Sequence, residues 1–227
     1  MLNFVLAESA LEMVPKEIRS QPAVTSDARR RQKHPSEILL DRSFHHSAMA
    51  KLKDSEKRGR PDLVHVTLLN VTGTPLYLDG SVRVFVHTYD DVVLEVAEKT
   101  RIPKNYLRFR GLMEKVLVER PEQGLIRVHS MRVKELLTMV SSNEAIGLSV
   151  RGKMMTLEEL ARKVMTAKNP SVIVGGFPHG HFSPETLAAM DKLVRIDAGP
   201  LEAHVVASRV IYEAEKAEAG STIKSAS

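Results

Sequence analysis

The sequence predicts an α/β fold: a mostly parallel sheet with helices on both faces, carrying an inserted β-hairpin and basic helix. Two observations lead there. Through the second half of the chain, short apolar runs alternate with helical patterns, as strands buried on both faces alternate with the helices that cover them. Two of those runs, Ser171 to Val174 and Lys192 to Ile196, end in glycine-bearing loops, Gly175-Gly176-Phe177-Pro178-His179-Gly180 and Asp197-Ala198-Gly199-Pro200. Two such ends side by side would form a crevice at the carboxyl edge of an open sheet, where α/β proteins place ligands. Neither loop matches G-x-x-x-x-G-K-[ST] or G-x-G-x-x-G, so the loops mark a site without naming its ligand.

In chain order, Leu2 to Ala7 reads as a buried strand and Ser9 to Val14 as a short helix ended by Pro15. Residues 16–36 are polar and proline-bearing and read mainly as a surface segment, after which Ile38-Leu39-Leu40 reads as a second strand. Ser43 opens a helical pattern through Phe44, Ala48 and Leu52 that dissolves into the charged loop Lys53 to Gly59. Pro61 suits a first helical turn, and Leu63, Val66 and Leu69 continue at helical spacing as far as Gly73-Thr74-Pro75. Val82 to His87 and Val92 to Val96 bracket Thr88-Tyr89-Asp90-Asp91, which predicts a hairpin with one wet face. After Pro103, Tyr106, Phe109, Met113 and Val116 recur at helical spacing with basic residues between them. Leu125 to Val128 reads as strand, Val133 to Val140 as helix and Ala145 to Val150 as strand. Thr156 and Glu159 form a capping-box pattern opening a helix to about Ala167. Ser183 caps another, and Leu201 to Ala217 closes the chain as helix with a polar tail. The expected organisation is one domain over 1–220 with an insertion at about 75–100, and a disordered tail over 221–227.

Composition narrows the class. A chain of 227 residues can bury a full core, and its 43% hydrophobic share is ordinary for a globular protein. The longest apolar runs fall far short of a membrane span, and the opening run meets Glu8 too soon for a secretory signal. With no cysteine, neither disulfides nor thiolate metal sites are available, which favours an intracellular setting. The net charge of +5 is concentrated. From Lys99 to Lys115 six Lys or Arg stand against one acid, Glu114, and a second basic run spans Arg29 to His34. Concentrated positive charge favours an anionic partner.

Arg60 and Asp62 lie two apart across Pro61, close enough for the carboxylate to aim the guanidinium at an anion, or to form an exposed ion pair. Arg101, Lys104 and Arg108 are three and four apart and could face one phosphate backbone. His45-His46 and His179-Gly180-His181 lack further ligands at sensible spacing, so no metal is expected. A glycine-rich site poor in nucleophiles fits methyl transfer from S-adenosylmethionine, whose sulfonium is already activated, and it fits a non-catalytic binding role as well.

Five ordered blocks carry a resemblance. They are Leu6-Ala7-Glu8-Ser9-Ala10-Leu11-Glu12; Arg60-Pro61-Asp62-Leu63-Val64-His65; Arg101-Ile102-Pro103-Lys104 with Arg108 to Met113; Val174 to Gly180; and Gly199-Pro200-Leu201-Glu202-Ala203. Together they resemble the SPOUT-superfamily methyltransferases that modify pseudouridine in small-subunit ribosomal RNA during ribosome biogenesis, in their compact archaeal form. The resemblance implies a cytoplasmic homodimer with a C-terminal deep trefoil knot, an exception to the rule that chains do not knot. It implies N1 methylation of a flipped pseudouridine in 16S-type RNA, with S-adenosyl-L-methionine as cofactor and ribosome assembly proteins as further partners. Cofactor-binding positions would be Leu148, Ser149, Gly175, Gly176, Gly180, Ile196, Asp197, Ala198, Gly199, Pro200, Leu201 and Ala203. Arg60, Arg101, Lys104 and Arg108 would contact RNA, and Arg60 with Asp62 would form the catalytic pair. The chain departs from the family at Lys104, where some relatives carry arginine, and at Asp197-Ala198-Gly199, where many carry Ser-Asn-Tyr. The alternative function is a non-catalytic assembly factor that binds ribosomal RNA through the same basic face.

Overall fold

The computed structural model describes residues 1–225. Among them one seven-stranded sheet runs β4-β3-β2-β1-β6-β5-β7. β1 (Leu2–Ser9) and β6 (Pro170–Gly175) lie at its centre, paired in parallel. β2 (Val82–Thr88) joins the other side of β1 in parallel, while β3 (Val92–Val96) and β4 (Ile126–Ser130) follow antiparallel. β5 (Glu144–Met154) and β7 (Lys192–Arg195) complete the parallel half. The sheet is thus mostly parallel, as expected.

Alternation along β1 shows why both faces must be covered. Phe4 and Leu6 pack with α3 (Pro61–Thr72), α4 (Pro75–Leu78), α5 (Tyr106–Glu119), α7 (Leu157–Thr166) and α9 (Ala203–Ser225). Val5 and Ala7 face the opposite way, towards α6 (Val133–Met139) and α8 (Pro184–Ala188). Every residue of β1 is buried, which only a doubly covered central strand requires.

The hairpin belongs to the same sheet, because β2 pairs with β1. Its expected wet face is covered, with Phe85 and Val93 packed against Val133 and Leu136 of α6. Ser9 to Val14 is extended rather than helical. Ala10 donates its N–H to the Gly176 carbonyl and accepts the Arg60 N–H at its own carbonyl, and Val14 donates to Ile38, so these groups bond across the fold instead of along a helix. Ile38 to Leu40 is no sheet strand but makes one antiparallel bridge, Met13 to Leu39. The supposed surface segment holds α1 (Pro22–Arg30), whose Val24 and Ala28 close a small satellite core with Ile38, Leu40 and Met49, the last from α2 (Arg42–Met49). α9 continues to Ser225, past the expected start of a disordered tail; the rest of that tail, 226–227, lies outside the described residues.

One irregularity shapes the site. β5 pairs with β7 at Leu148–Val194 and again at Lys153–Val194, so residues 149–152 bulge out between the two registers. The return is tight at Gly152, where a Cβ would lie 2.5 Å from Val194 Cα.

Candidate active site

A cavity of about 530 Å³ opens at the carboxyl ends of β5, β6 and β7, within the roughly 300–1,000 Å³ typical of ligand sites. The three strand ends supply it in turn: Leu148, Ser149 and the bulged Val150 from β5, Gly175 to Phe182 apart from Gly176 at and after the end of β6, and Arg195 to Val206 apart from Ala198, His204 and Val205 at and after the end of β7. Of the sequence-predicted positions, Leu148, Ser149, Gly175, Gly180, Ile196, Asp197, Gly199, Pro200, Leu201 and Ala203 line it, and so does Arg60.

Gly176 and Ala198 do not line the cavity. Gly176 is buried and seats the loop on β1. Its N–H donates to Ala7 and its carbonyl accepts from Ala10, both at 2.8 Å, and a Cβ there would come within 2.8 Å of Ser9 Cα. Its glycine therefore serves close packing, a different need from ligand approach. Ala198 is exposed at the tip of its turn. Asp197 accepts the Gly199 N–H at 3.3 Å and pairs with Arg209 at 2.9 Å, which holds its carboxyl below the usual range.

Arg60 is the N-cap of α3, and its own N–H donates to Ala10. Nε and Nη2 donate to the two oxygens of Asp62, each at 2.8 Å. That bidentate bond keeps Arg60 firmly cationic; Asp62 stays below its ordinary pKa although burial pushes it the other way. Neither residue is a free base.

Arg101, Lys104 and Arg108 are exposed and form no ion pair among the described residues. Their segment is fixed to α3 by His65, whose Nε2–H donates to the Pro103 carbonyl at 2.7 Å and whose ring stacks on Phe109 at 4.4 Å. Three basic positions and Arg60 are thereby tied to one helix. The other basic run is largely spent on structure. Arg31 and Lys33 pair with buried Glu114, and Arg30 pairs with Asp27. Arg110, interleaved in the first cluster, is buried with its guanidinium 5.0 Å from the Phe44 ring centre.

His45 is buried in α2 and accepts the Asp41 N–H at Nδ1, while His179 and His181 stand in the cavity wall. Among the described residues no group of three or more His, Asp or Glu side chains is placed to hold a metal. Sequence reasoning missed several site residues. Arg195 lines the cavity without an acidic partner among the described residues, and Phe182 packs edge to face at 5.6 Å in its wall against Phe177, a member of the expected glycine loop. Lys57 and Glu8 support that wall from behind.

A family model described as EMG1/NEP1 methyltransferase matches residues 4–215. The chain is 42% identical over 219 residues to a ribosomal RNA small subunit methyltransferase Nep1 of Staphylothermus marinus, covering 94% of this chain and 95% of that one. It is 44% identical over 216 residues to the Nep1 of Pyrobaculum neutrophilum, covering 93% and 96%. The crystal structure of Archaeoglobus fulgidus Nep1 bound to S-adenosylhomocysteine superposes with a TM-score of 0.84 at 38% identity, over 95% of this chain and 98% of that one.

Proposed function

Because the chain belongs to the EMG1/NEP1 methyltransferase family, we propose that it transfers a methyl group from S-adenosyl-L-methionine to N1 of a pseudouridine in small-subunit ribosomal RNA. One observation carries the reading: Arg60, locked by Asp62, lines the same cavity as the glycine loop, so one chamber presents both a cofactor cradle and a fixed cation.

The cavity suits the cofactor's chemistry. Leu148, Leu201, Ala203 and Val206 offer an apolar slot for an adenine ring, and the loops at 175–180 and 196–200 offer backbone polar groups beside it. The cofactor, when bound, supplies a methyl group already activated by its sulfonium. The chain's own task is to bind, orient and dehydrate the two reactants. Pseudouridine N1 carries a proton that must leave to solvent as the new N–C bond forms and the S–C bond breaks. Arg60 cannot accept that proton, and Asp62, its carboxyl held below the usual range by the Arg60 guanidinium, is a poor acceptor for it. The fixed guanidinium instead lowers the cost of the anionic base. Arg101, Lys104 and Arg108 supply phosphate contacts that bring the RNA to the cavity mouth.

The same reading includes a C-terminal trefoil knot, a cytoplasmic homodimer and association with ribosome assembly proteins. Met154 and Tyr212, exposed at 58% and 60%, are apolar surface that a second subunit would cover. No helix among the described residues is long and apolar enough to cross a membrane.

The test is transfer of labelled methyl from S-adenosylmethionine to two RNA hairpins differing only in pseudouridine or uridine at one position. Label in the pseudouridine hairpin alone is the expected result. Equal labelling of both would reject the base specificity, and no labelling with intact cofactor binding would favour the non-catalytic assembly factor.

A further inference from the structure

The segment Phe177 to Phe182 walls the cavity, yet among the described residues none of its backbone N–H or carbonyl groups bonds to another backbone group. A loop held so sparsely by its own backbone is free to sample other conformations unless side chains fix it. Two do. Lys57 Nζ donates to the His181 carbonyl at 2.7 Å, and Glu8 Oε1 accepts the Ser183 N–H at 2.7 Å. Lys57 and Glu8 are in turn ion-paired with each other, so one pair holds the loop at its middle and at its end.

We infer that the Lys57–Glu8 pair is a clamp that sets the cofactor-binding conformation of the 177–183 loop, which makes both of them positioning residues for the cofactor. The inference rests on the cofactor reading proposed above. Lys57 reaches the loop from the turn Ser55–Lys57, its side chain 13% exposed and its Nζ 4.3 Å from the Phe177 ring centre. Its stem lies against Gly180, where φ is +99° and a Cβ would meet Lys57 Cγ at 3.4 Å. Glu8 adopts φ of +50°, a left-handed conformation that non-glycine residues seldom take. Its N–H then reaches His87 Nδ1 at 3.1 Å while its carboxylate turns towards the loop. Burial works against ionised Glu8, but Lys57 and the Ser183 N–H outweigh it and keep its carboxyl below the usual range.

Neither residue lines the cavity, so loss of the clamp alters affinity through the loop rather than by removing a ligand contact. The experiment compares Lys57→Met, which keeps the stem and removes the donor, with Lys57→Arg, which keeps a donor and the charge. S-adenosylhomocysteine and RNA affinities are measured by calorimetry, and amide exchange of 177–183 is measured without cofactor. Lys57→Met is expected to weaken S-adenosylhomocysteine about tenfold, about 1.4 kcal/mol, with RNA affinity unchanged and loop exchange faster. Lys57→Arg is expected to recover most of both effects. Wild-type cofactor affinity and loop exchange in Lys57→Met would overturn the clamp, as would a parallel loss of RNA affinity that marks general unfolding. If the unaltered protein bound no cofactor, the proposed function would fall instead. The exchange comparison alone would then decide the clamp, with unchanged exchange rejecting it.

Discussion

Asp62 accepts both Nε–H and Nη2–H of Arg60, so the guanidinium lies edge to edge with the carboxylate at the start of α3. Both side chains are partly exposed, 38% and 47%, and such a pair adds little to stability. Its value is orientation. Asp62→Asn would replace one acceptor with a donor, leaving an N–H of Arg60 facing another N–H. The expected result is a fall of about tenfold in kcat/KM for RNA, roughly 1.4 kcal/mol of transition-state stabilisation, with little change in thermal stability. Steady-state kinetics beside thermal melts would show it, and an equal loss of both would reject an orienting role.

Two glycines in this chain should respond to alanine with opposite signs. Gly176 has Ser9 Cα and Leu6 Cγ within 2.9 Å of where a Cβ would sit, and backbone cannot easily yield. Gly176→Ala should destabilise by about 1–3 kcal/mol, the usual range for overpacking. Gly111 lies inside α5 with nothing within 4 Å of a Cβ. Gly111→Ala should stabilise by roughly 0.5–1 kcal/mol, since glycine is the poorer helix former. Denaturant midpoints of the two variants would check both signs.

These two positions also show what the sequence could disclose. The loop after β6 was legible because Ser171 to Val174 is continuously apolar and glycines follow at once. Which glycine faces the cavity and which abuts Ser9 depends on how β1 lies beside β6, a contact between segments more than 160 residues apart. The same holds for Lys57, whose bond to His181 spans 124 positions and whose local sequence is an ordinary charged loop. α1 was missed because its buried residues, Val24, Asp27 and Ala28, include only two apolar anchors. Ser9 to Val14 misled for the opposite reason: Ala10, Leu11 and Val14 fit a helical stripe, but all three are buried in an extended chain bonded to its neighbours.

Stability should fall as pH drops below about 6.5, the ordinary histidine value. His87 and His45 are buried, and each accepts a backbone N–H at Nδ1, from Glu8 and from Asp41. Burial lowers the pKa of both, so the folded protein binds fewer protons than the unfolded chain in this range. Their contribution is complete above the unfolded value and is lost as pH falls through the folded one, at up to about 1.4 kcal/mol per pH unit for each. Buried Glu12, and Asp90 in the turn after β2, have raised pKa values and act in the opposite sense. The decisive measurement is therefore the difference in pH slope between the unaltered protein and His87→Gln from pH 7.5 to 5. A slope unchanged by the substitution would exclude His87 as a contributor.

Salt dependence should separate the basic residues that meet RNA from those that hold the fold. Arg101 and Arg108 are exposed and free of ion pairs among the described residues, so Arg101→Ala and Arg108→Ala should each weaken RNA binding and lower the slope of log affinity against log salt by about 0.7–1, one phosphate contact apiece. Thermal stability should hardly move. Arg31 is the counter-case, its side chain 14% exposed and paired with fully buried Glu114. Arg31→Gln should leave the salt slope intact and destabilise the protein, because Glu114 retains only Lys33 and the Leu39 N–H. A change in salt slope for Arg31→Gln equal to that for Arg108→Ala would mean that RNA reaches the α1 side, and the interface would have to extend across both basic runs.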